Sequence, residues 1–263
     1  MKANQFNDCW QVRYLEDEGP GVPVTLPHDA MLSEPRTELS AGCVNTGWYE
    51  GRDYRYTKAF TPDHTLAGQT AVLEFEGVYH NAEVWLNGEK LAFRPYGYTN
   101  FYVDLTGKLW AGEENTLEVI ARNADQPNSR WYSGAGIYRP VTLWTAPKEH
   151  IPPNGLRVRT VSIDPVVVEV TVQTSGAGDV FVQICGGGQA VASGSTQSDG
   201  TAVLQLDIPG GRLWSMDAPN LYTCRAIFGN DSAETTFGVR TLEWGVHGLL
   251  LNGERVILQG ACI

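Results

Sequence analysis

Residues 130–143 bring together the side chains of this sequence that are best suited to a polar ligand. They read RWYSGAGIYRPVTL, with three aromatic residues, two arginines and two glycines one residue apart. Aromatic rings offer flat apolar faces and guanidinium groups donate several hydrogen bonds, so together they suit the faces and hydroxyl groups of a sugar. Gly134 and Gly136 permit backbone conformations that a Cβ atom would obstruct. The alternative is a tight turn before a strand at 141–144, with the aromatic residues in the core.

His28 and Asp29 form a second pair that could do chemistry. An imidazole beside a carboxylate could act in general acid and base catalysis. No nucleophile lies near the pair in the sequence, and Pro27 directly before it is typical of a loop. We therefore expect His28 and Asp29 to hold a loop in place, with acid and base chemistry as the alternative.

Motifs for cofactors and for other nucleophiles are missing from the sequence. The Gly-x-Gly fragments at 134–136 and 176–178 lack the third glycine of a dinucleotide-binding loop, and there is no Gly-x-Ser-x-Gly motif. The three glycines at 186–188 read as a turn, because no strand-to-helix pattern follows them. We predict no cofactor.

The cysteines do not form a metal-binding pattern. Their number is odd, their spacing is wide, and no histidine lies at ligand spacing from them. They are Cys9, Cys43, Cys185, Cys224 and Cys262. We predict no metal site and expect reduced thiols, although Cys185 and Cys224 could meet across one sandwich.

Composition indicates an all-β protein that does not bind nucleic acid. The 263 residues are 42% hydrophobic and 10% aromatic, with 29 glycines and 14 prolines. Apolar runs are short and no long helical period occurs, which favours many strands joined by turns. The net charge of −11 opposes binding to a phosphate backbone, which requires clustered Lys and Arg.

The sequence shows no segment that would direct it to a membrane. The first residues, MKANQF, lack the apolar core of a secretory signal, and no later stretch has the length and hydrophobicity of a membrane span. We expect a cytoplasmic protein without a membrane partner.

Strand patterns divide the chain near residue 149. In the first part, Asn87-Gly88 fits a type I′ turn of a hairpin at 82–91. After Pro147, seven short runs rich in Val and Thr predict an immunoglobulin-like sandwich. The runs are 156–163, 166–174, 180–184, 190–196, 202–208, 221–228 and 233–239.

The segment RWYSGAGIYRPV resembles the signature near the end of the sugar-binding domain of glycoside hydrolase family 2, which includes β-galactosidases, β-glucuronidases and β-mannosidases. Further segments match the family in the expected order, so the resemblance covers the whole chain. They are FNDCW at 6–10, LPHD at 26–29, the Asn-Gly hairpin at 82–91, the strand at 96–106, PNLY at 219–222 and FGVR at 237–240. The resemblance implies a jelly-roll sugar-binding domain at 1–149 and an immunoglobulin-like domain at 150–240.

The last residues resemble the point at which the catalytic (β/α)₈ barrel of this family begins. Residues 249–260, LLLNGERVILQG, contain a second Asn-Gly hairpin that leads into an apolar strand. We therefore expect residues 241–263 to be a truncated hairpin stub of the barrel, whose remainder would be the partner of this chain. The apolar residues of the stub would then favour self-association or disorder of this tail, so a homo-oligomer is a further expectation.

The resemblance also places the catalytic residues outside this chain. Retaining glycosidases use two carboxyl groups about 5 Å apart, and in this family both are barrel glutamates, the acid/base following an Asn. No Asn-Glu dipeptide occurs here. We assign no catalytic residue and expect the chain alone to be inactive.

One loop of the sugar-binding domain could still contact substrate. In the family, the loop before the Gly-x-Gly-Ile-Tyr-Arg segment reaches over the barrel mouth, and in some β-galactosidases it carries an Asp that binds sugar hydroxyl groups. The corresponding loop here reads RNADQPNSR at 122–130. The resemblance implies Asp125, Asn128 and Arg130 as substrate-binding residues, with a solvated Asp125 and a structural Arg130 as the alternative.

Three classes of function follow from the sequence. The first is the non-catalytic N-terminal part of a retaining β-glycosidase, with β-galactosidase ahead of β-glucuronidase and β-mannosidase, acting on a β-glycoside. The second is a separate carbohydrate-binding module, and the third is a structural scaffold. The barrel-like hairpin favours the first, because a separate module would have no use for an unpaired apolar strand.

Overall fold

The computed structural model describes residues 1–246 and 248–260, so Cys262 lies outside the described residues. The chain divides into two compact units, Lys2–Ala146 and Pro147–Ile263, with Met1 counted in the second. Strands account for most of the regular structure in both units, so the predicted all-β fold is confirmed. The described helices are single turns of at most four residues, and none of them could cross a membrane.

The first unit contains ten strands and three short 3-10 helices. The strands are β1 (Lys2–Gln5), β2 (Trp10–Tyr14), β3 (Val22–Val24), β4 (Asp53–Phe60), β5 (Thr70–Phe75), β6 (Ala82–Leu86), β7 (Glu89–Arg94), β8 (Phe101–Asp104), β9 (Asn115–Arg122) and β10 (Val141–Ala146). The 3-10 helices are Ala30–Ser33, Cys43–Thr46 and His64–Leu66.

The strands of the first unit form a two-layer sandwich. One sheet has the order β1-β10-β5-β8 and the other the order β3-β2-β4-β9-β6-β7, with antiparallel neighbours throughout. Alternate residues of each strand point inward. Leu73 and Phe75 of the first sheet share a buried cluster with Val84 and Val119 of the second. This shared core holds the two sheets together, as the predicted sandwich requires.

The hairpin of β6 and β7 turns where the sequence predicted. Asn87 and Gly88 have φ angles of 51° and 83°, and Leu86 pairs with Glu89 across the turn. Positive φ at both central residues defines the type I′ turn, so this prediction is confirmed.

The main sheet of the second unit has fewer and longer strands than the seven predicted. It comprises β11 (Leu156–Ile163), β12 (Val166–Gly186), β13 (Gln189–Asp207), β14 (Tyr222–Phe228) and β15 (Asp231–Phe237), in the order β11-β12-β14-β15 with β13 paired to β12. Two pairs of predicted runs are thus single strands, β12 and β13. The register of β12 and β13 shifts between Gln173 and Ala177 and again between Ile184 and Cys185, and the first irregularity bends the hairpin without ending it.

The bent hairpin still encloses one core. The first half of β12 pairs with β11 and the second half pairs with β14. Val168 and Val170 from the first half lie in the same buried cluster as Val182 and Ile184 from the second. The two halves therefore supply opposite walls of a sandwich, although they belong to one continuous strand.

The thiols of the described residues are free. Cys185 and Cys224 lie on the neighbouring strands β12 and β14, where Cys224 is opposite Ile184. Burial raises the pKa of Cys224 to about 12, so its thiol stays protonated at neutral pH and is unreactive.

The last described residues form a small antiparallel sheet of β16 (Leu242–Gly245), β17 (Gly248–Leu251) and β18 (Glu254–Val256). Asn252 and Gly253 make the turn between β17 and β18, with φ angles of 51° and 83°, as the sequence predicted. The predicted apolar strand is shorter than expected. It ends at Val256, and the side chains of Ile257 and Leu258 are exposed.

Candidate functional site

The connection between β9 and β10 carries the residues that the sequence singled out. Trp131 is 59% exposed and Tyr132 is 41% exposed, whereas Ala135 and Ile137 are fully buried. The alternative that places the aromatic residues of this segment in the core is therefore wrong for Trp131 and Tyr132. Small and aliphatic residues anchor the segment, and two large rings face solvent.

The two glycines of this segment are required by close packing. Gly134 and Gly136 have φ angles of 68° and 95°. A Cβ atom on Gly134 would lie 2.7 Å from Oδ2 of Asp29, and one on Gly136 would lie 2.0 Å from Oη of Tyr56. The predicted need for glycine at both positions is confirmed.

Asp29 binds this segment to the loop after β3. Its Oδ1 accepts hydrogen bonds from the backbone N–H groups of Ala135, at 2.9 Å, and Met31, at 3.1 Å, and its Oδ2 accepts one from the hydroxyl of Tyr132 at 2.6 Å. Burial and the adjacent carboxylate raise the pKa of Tyr132, so its hydroxyl remains a donor. The carboxylate of Asp29 is occupied by these structural contacts.

His28 completes the same attachment. Its Nδ1 lies 2.9 Å from Oη of Tyr56, and its backbone N–H donates to the carbonyl oxygen of Ile137. Burial lowers the pKa of His28 against the opposing effect of Asp29, so the imidazole is neutral at pH 7. The interpretation of His28 and Asp29 as residues that hold a loop in place is confirmed.

Asp53 fixes the beginning of the connection. Its Oδ1 accepts hydrogen bonds from the backbone N–H groups of Asn123, at 2.9 Å, and Ala124, at 3.0 Å. Its Oδ2 lies 3.3 Å from Nη1 of Arg122. Because Asp53 lies on β4, the loop that follows β9 starts from a position set by the neighbouring strand.

Asn128 folds the loop back onto this anchored base. Its Nδ2 lies 2.8 Å from Oδ1 of the buried Asn123, 3.0 Å from the carbonyl oxygen of Asp125 and 3.1 Å from Nε2 of His80. Its Oδ1 accepts a hydrogen bond from the hydroxyl of Tyr79 at 3.1 Å. Protein groups thus engage both ends of this amide, which holds the loop. Contact of Asn128 with substrate stays a prediction.

Asp125 and Arg130 lie at the exposed part of the loop. Both side chains face solvent, and neither takes part in a side-chain hydrogen bond or ion pair with any residue in the described part of the chain. Burial lowers the pKa of His80, whereas the charges of Asp53 and Asp125 oppose this shift. The charge of Asp125 therefore favours the protonated form of His80, while the carboxylate oxygens of Asp125 remain exposed. Its role in substrate binding also stays a prediction.

Comparison with models of known protein families tests the family membership that the sequence motifs suggested. Residues 22–151 match the model of the galactose-binding domain-like region of glycosyl hydrolase 2, and residues 156–240 match that of glycosyl hydrolases family 2. The chain belongs to glycoside hydrolase family 2.

Individual members of the family are similar over almost the whole chain. A β-galactosidase of Bacteroides ovatus is 35% identical and the match covers 100% of this chain. A β-glucuronidase candidate of Formosa agariphila is 35% identical over 94% of it. The crystal structure of a family 2 member from Bacteroides cellulosilyticus, 26% identical, superposes over 100% of the chain with a TM-score of 0.89.

The chain spans 34% and 25% of the length of these two sequence relatives, and 38% of the chain in the crystal structure. Residues that family 2 enzymes need for catalysis can therefore lie in parts of the relatives that this chain does not match. Within the described residues, no group of three or more His, Cys, Asp or Glu side chains could hold a metal ion.

Several residues of the candidate site were not singled out by the sequence. Asp53 and Asn123 belong to no recognisable motif. They come together because Asp53 begins β4, Asn123 follows the end of β9, and these two strands are paired. Tyr79 and His80 follow an apolar strand, but nothing in the sequence predicts their contacts with Asn128.

The close approach of Gly136 to Tyr56 gives a stability prediction. Gly88→Ala, at the β6–β7 turn, adds a Cβ at a φ of 83° with no atom within 4 Å, so it should cost about 1–2 kcal/mol from backbone strain alone. Gly136→Ala adds a steric overlap and should cost about 1–3 kcal/mol more. Urea unfolding followed by tryptophan fluorescence measures both variants. Equal losses would show that Tyr56 does not confine Gly136.

The lowered pKa values of His28 and His80 predict a loss of stability in acid. The unfolded chain takes up a proton on each imidazole near the ordinary value of 6.5, whereas the folded chain resists it. Unfolding therefore binds protons, and stability should fall as pH decreases through about 6.5. His80→Gln should reduce the difference in melting temperature between pH 7.5 and pH 5.5. His64→Gln, on an exposed turn, is the control, and an unchanged pH dependence in His80→Gln would contradict the assignment.

Proposed function

We propose that this chain is the non-catalytic N-terminal portion of a retaining β-glycosidase that hydrolyses terminal β-linked sugars, and specifically of a β-galactosidase. In this proposal both domains support a catalytic barrel, and residues 241–263 form the hairpin at which that barrel begins. The similarity to the β-galactosidase of Bacteroides ovatus, which extends over the full chain, supports the choice of activity.

The loop at 123–130 is the observation that carries the proposed part in substrate binding. Hydrogen bonds to Asp53 and within the Asn123–Asn128 pair fix its base, whereas the carboxylate of Asp125 and the guanidinium of Arg130 are exposed. A fixed base with accessible charged groups is what a loop needs to bind sugar hydroxyl groups at a low cost in conformational entropy.

A β-glucuronidase is the second candidate, because the Formosa agariphila relative is equally similar. The exposed guanidinium of Arg130 would suit the carboxylate of a glucuronide.

Two observations test both candidates. The coding sequence beyond residue 263 should contain an Asn-Glu dipeptide within a barrel-length continuation, and the encoded protein should cleave a nitrophenyl β-galactoside in preference to a β-glucuronide. A reading frame that ends directly after residue 263 would contradict both.

The chain of 263 residues should not hydrolyse nitrophenyl β-galactosides or β-glucuronides by itself. Its sequence has no Asn-Glu dipeptide, and this reaction requires a pair of carboxyl groups in fixed positions. Release of nitrophenol by the purified chain, compared with a blank that lacks protein, measures the activity. Turnover that persists through successive purification steps would contradict the proposal.

Asp125→Asn tests the loop in the longer protein. The carboxylate should accept charge-assisted hydrogen bonds from sugar hydroxyl groups, each contributing about 1.5–3 kcal/mol. The variant should therefore lower kcat/KM about ten- to a hundredfold with little change in melting temperature.

Asp217→Asn is the matched control for this experiment. Asp217 is also exposed and also lacks a side-chain hydrogen bond among the described residues, but it lies in the other unit. It should leave kcat/KM unchanged. Full activity in Asp125→Asn, or a loss matched by a lower melting temperature, would mean that Asp125 has no contact with the substrate.

A further inference from the structure

Next to the loop lies a group of aromatic rings that no part of the proposed catalytic reaction uses. Tyr96 is 56% exposed, Trp131 is 59% exposed, and the half-buried Tyr98 contacts both of them. We refer to Tyr96, Tyr98 and Trp131 as the aromatic platform. Its two exposed rings come from separate segments, the one before β8 and the one before β10.

Hydrogen bonds and ring contacts hold the platform in place. Nε1 of Trp131 donates to Oη of Tyr98 at 2.9 Å, and the Tyr98 ring lies 5.6 Å from the Tyr96 ring. The indole orientation is therefore set by a partner on the other segment. A ring fixed before the ligand arrives loses little conformational entropy on binding.

The segment that carries Tyr96 and Tyr98 packs closely against Tyr138 and the buried Tyr79. The carbonyl oxygen of Gly97 accepts a hydrogen bond from the hydroxyl of Tyr138 at 2.7 Å, and a Cβ atom on Gly97 would lie 2.6 Å from the Tyr79 ring. Tyr98 also lies 5.2 Å from that ring, which is 6% exposed. The buried ring of Tyr79 thus packs against the segment that carries Tyr96 and Tyr98.

Tyr79 also connects the platform to the proposed substrate loop. Its hydroxyl donates to Oδ1 of Asn128, the residue that folds the loop back onto its base. Trp131 directly follows Arg130 in the chain, so the exposed guanidinium lies next to the exposed indole in sequence. Aromatic faces and charged hydrogen-bonding groups therefore occur on one continuous element.

This combination fits a carbohydrate better than a protein partner or a lipid. Sugar rings present an apolar face of C–H groups for stacking and hydroxyl groups at their edge, and they need both aromatic rings and polar groups nearby. Exposed large aromatic residues grouped in this way are uncommon without a binding role. The platform offers an exposed ring on each side of Tyr98, which suits a ligand longer than a single sugar residue.

We propose that the aromatic platform binds the second and later sugar residues of a β-linked oligosaccharide whose terminal residue is held by the loop at 123–130. The inference rests on the proposed function for the choice of carbohydrate as the substrate class. It adds that the substrate is an oligosaccharide and that Trp131 and Tyr96 provide the stacking surfaces.

Direct binding to the 263-residue chain tests the platform without any catalytic activity. The probes are galactose and an array of β-linked oligosaccharides of two to six residues, with isothermal titration of the ones retained. At least one oligosaccharide should bind more tightly than galactose, and Trp131→Ala and Tyr96→Ala should each weaken it about tenfold. Trp131→Phe keeps a flat face and should lose less. No binding to any oligosaccharide would overturn the proposal.

Trp110→Ala is the matched control, because Trp110 lies in the same unit, is 54% exposed and stands outside the platform. It should leave oligosaccharide binding unchanged. An equal loss in Trp110→Ala and Trp131→Ala would indicate nonspecific contact with exposed tryptophan and would also overturn the proposal.

Kinetics of the longer protein separate this inference from the proposed function. Trp131→Ala should lower kcat/KM for the oligosaccharide about tenfold more than for a nitrophenyl monoglycoside, which has no second sugar residue. Equal losses on both substrates would overturn the platform. A longer protein that cleaves no glycoside would instead overturn the proposed function, while oligosaccharide binding by the 263-residue chain would still decide on the platform.

Discussion

The carboxylate of Asp29 is the contact on which the geometry of the site depends. It accepts two backbone N–H groups and one tyrosine hydroxyl, and two of these donors lie more than 100 residues further along the chain. A buried backbone N–H without an acceptor would cost about 1–3 kcal/mol, so Asp29 fixes where the segment before β10 can pass. The left-handed turns at Gly134 and Gly136 then bring that segment against Asp29 and Tyr56.

The candidate site separates residues that hold the loop from residues that face solvent. Asn123 and Asn128 lie inside the loop, where protein groups satisfy their amides. Asp125 and Trp131 face solvent on the same connection. Such an arrangement keeps accessible groups in fixed positions, because the entropy of the loop is lost during folding and not during binding. The platform follows the same principle, since Tyr98 positions the exposed indole of Trp131.

The second unit lacks a comparable cluster of exposed aromatic and buried polar residues among those described. Two long strands, β12 and β13, contribute much of the core of its main sheet, and their bend between residues 173 and 177 lets one hairpin supply both walls of a sandwich. Val, Ile and Leu fill that core, and the buried Cys224 is an unreactive thiol within it. These features suit a supporting role, and they agree with the proposal that sugar contacts come from the first unit.

The sequence by itself determined the features that depend on neighbouring residues. Short apolar runs without a helical period predicted the all-β fold, Asn87-Gly88 and Asn252-Gly253 predicted their turns, and the pattern at 130–143 predicted the family. Tertiary structure decided what depends on distant partners. The sequence could not distinguish one long strand β12 from two short strands, because glycines are typical both of a β-bulge within a strand and of a turn between two strands. The sequence also could not predict the contacts of Asn128 and of the platform. Their hydrogen bonds join segments that come together only when the core forms.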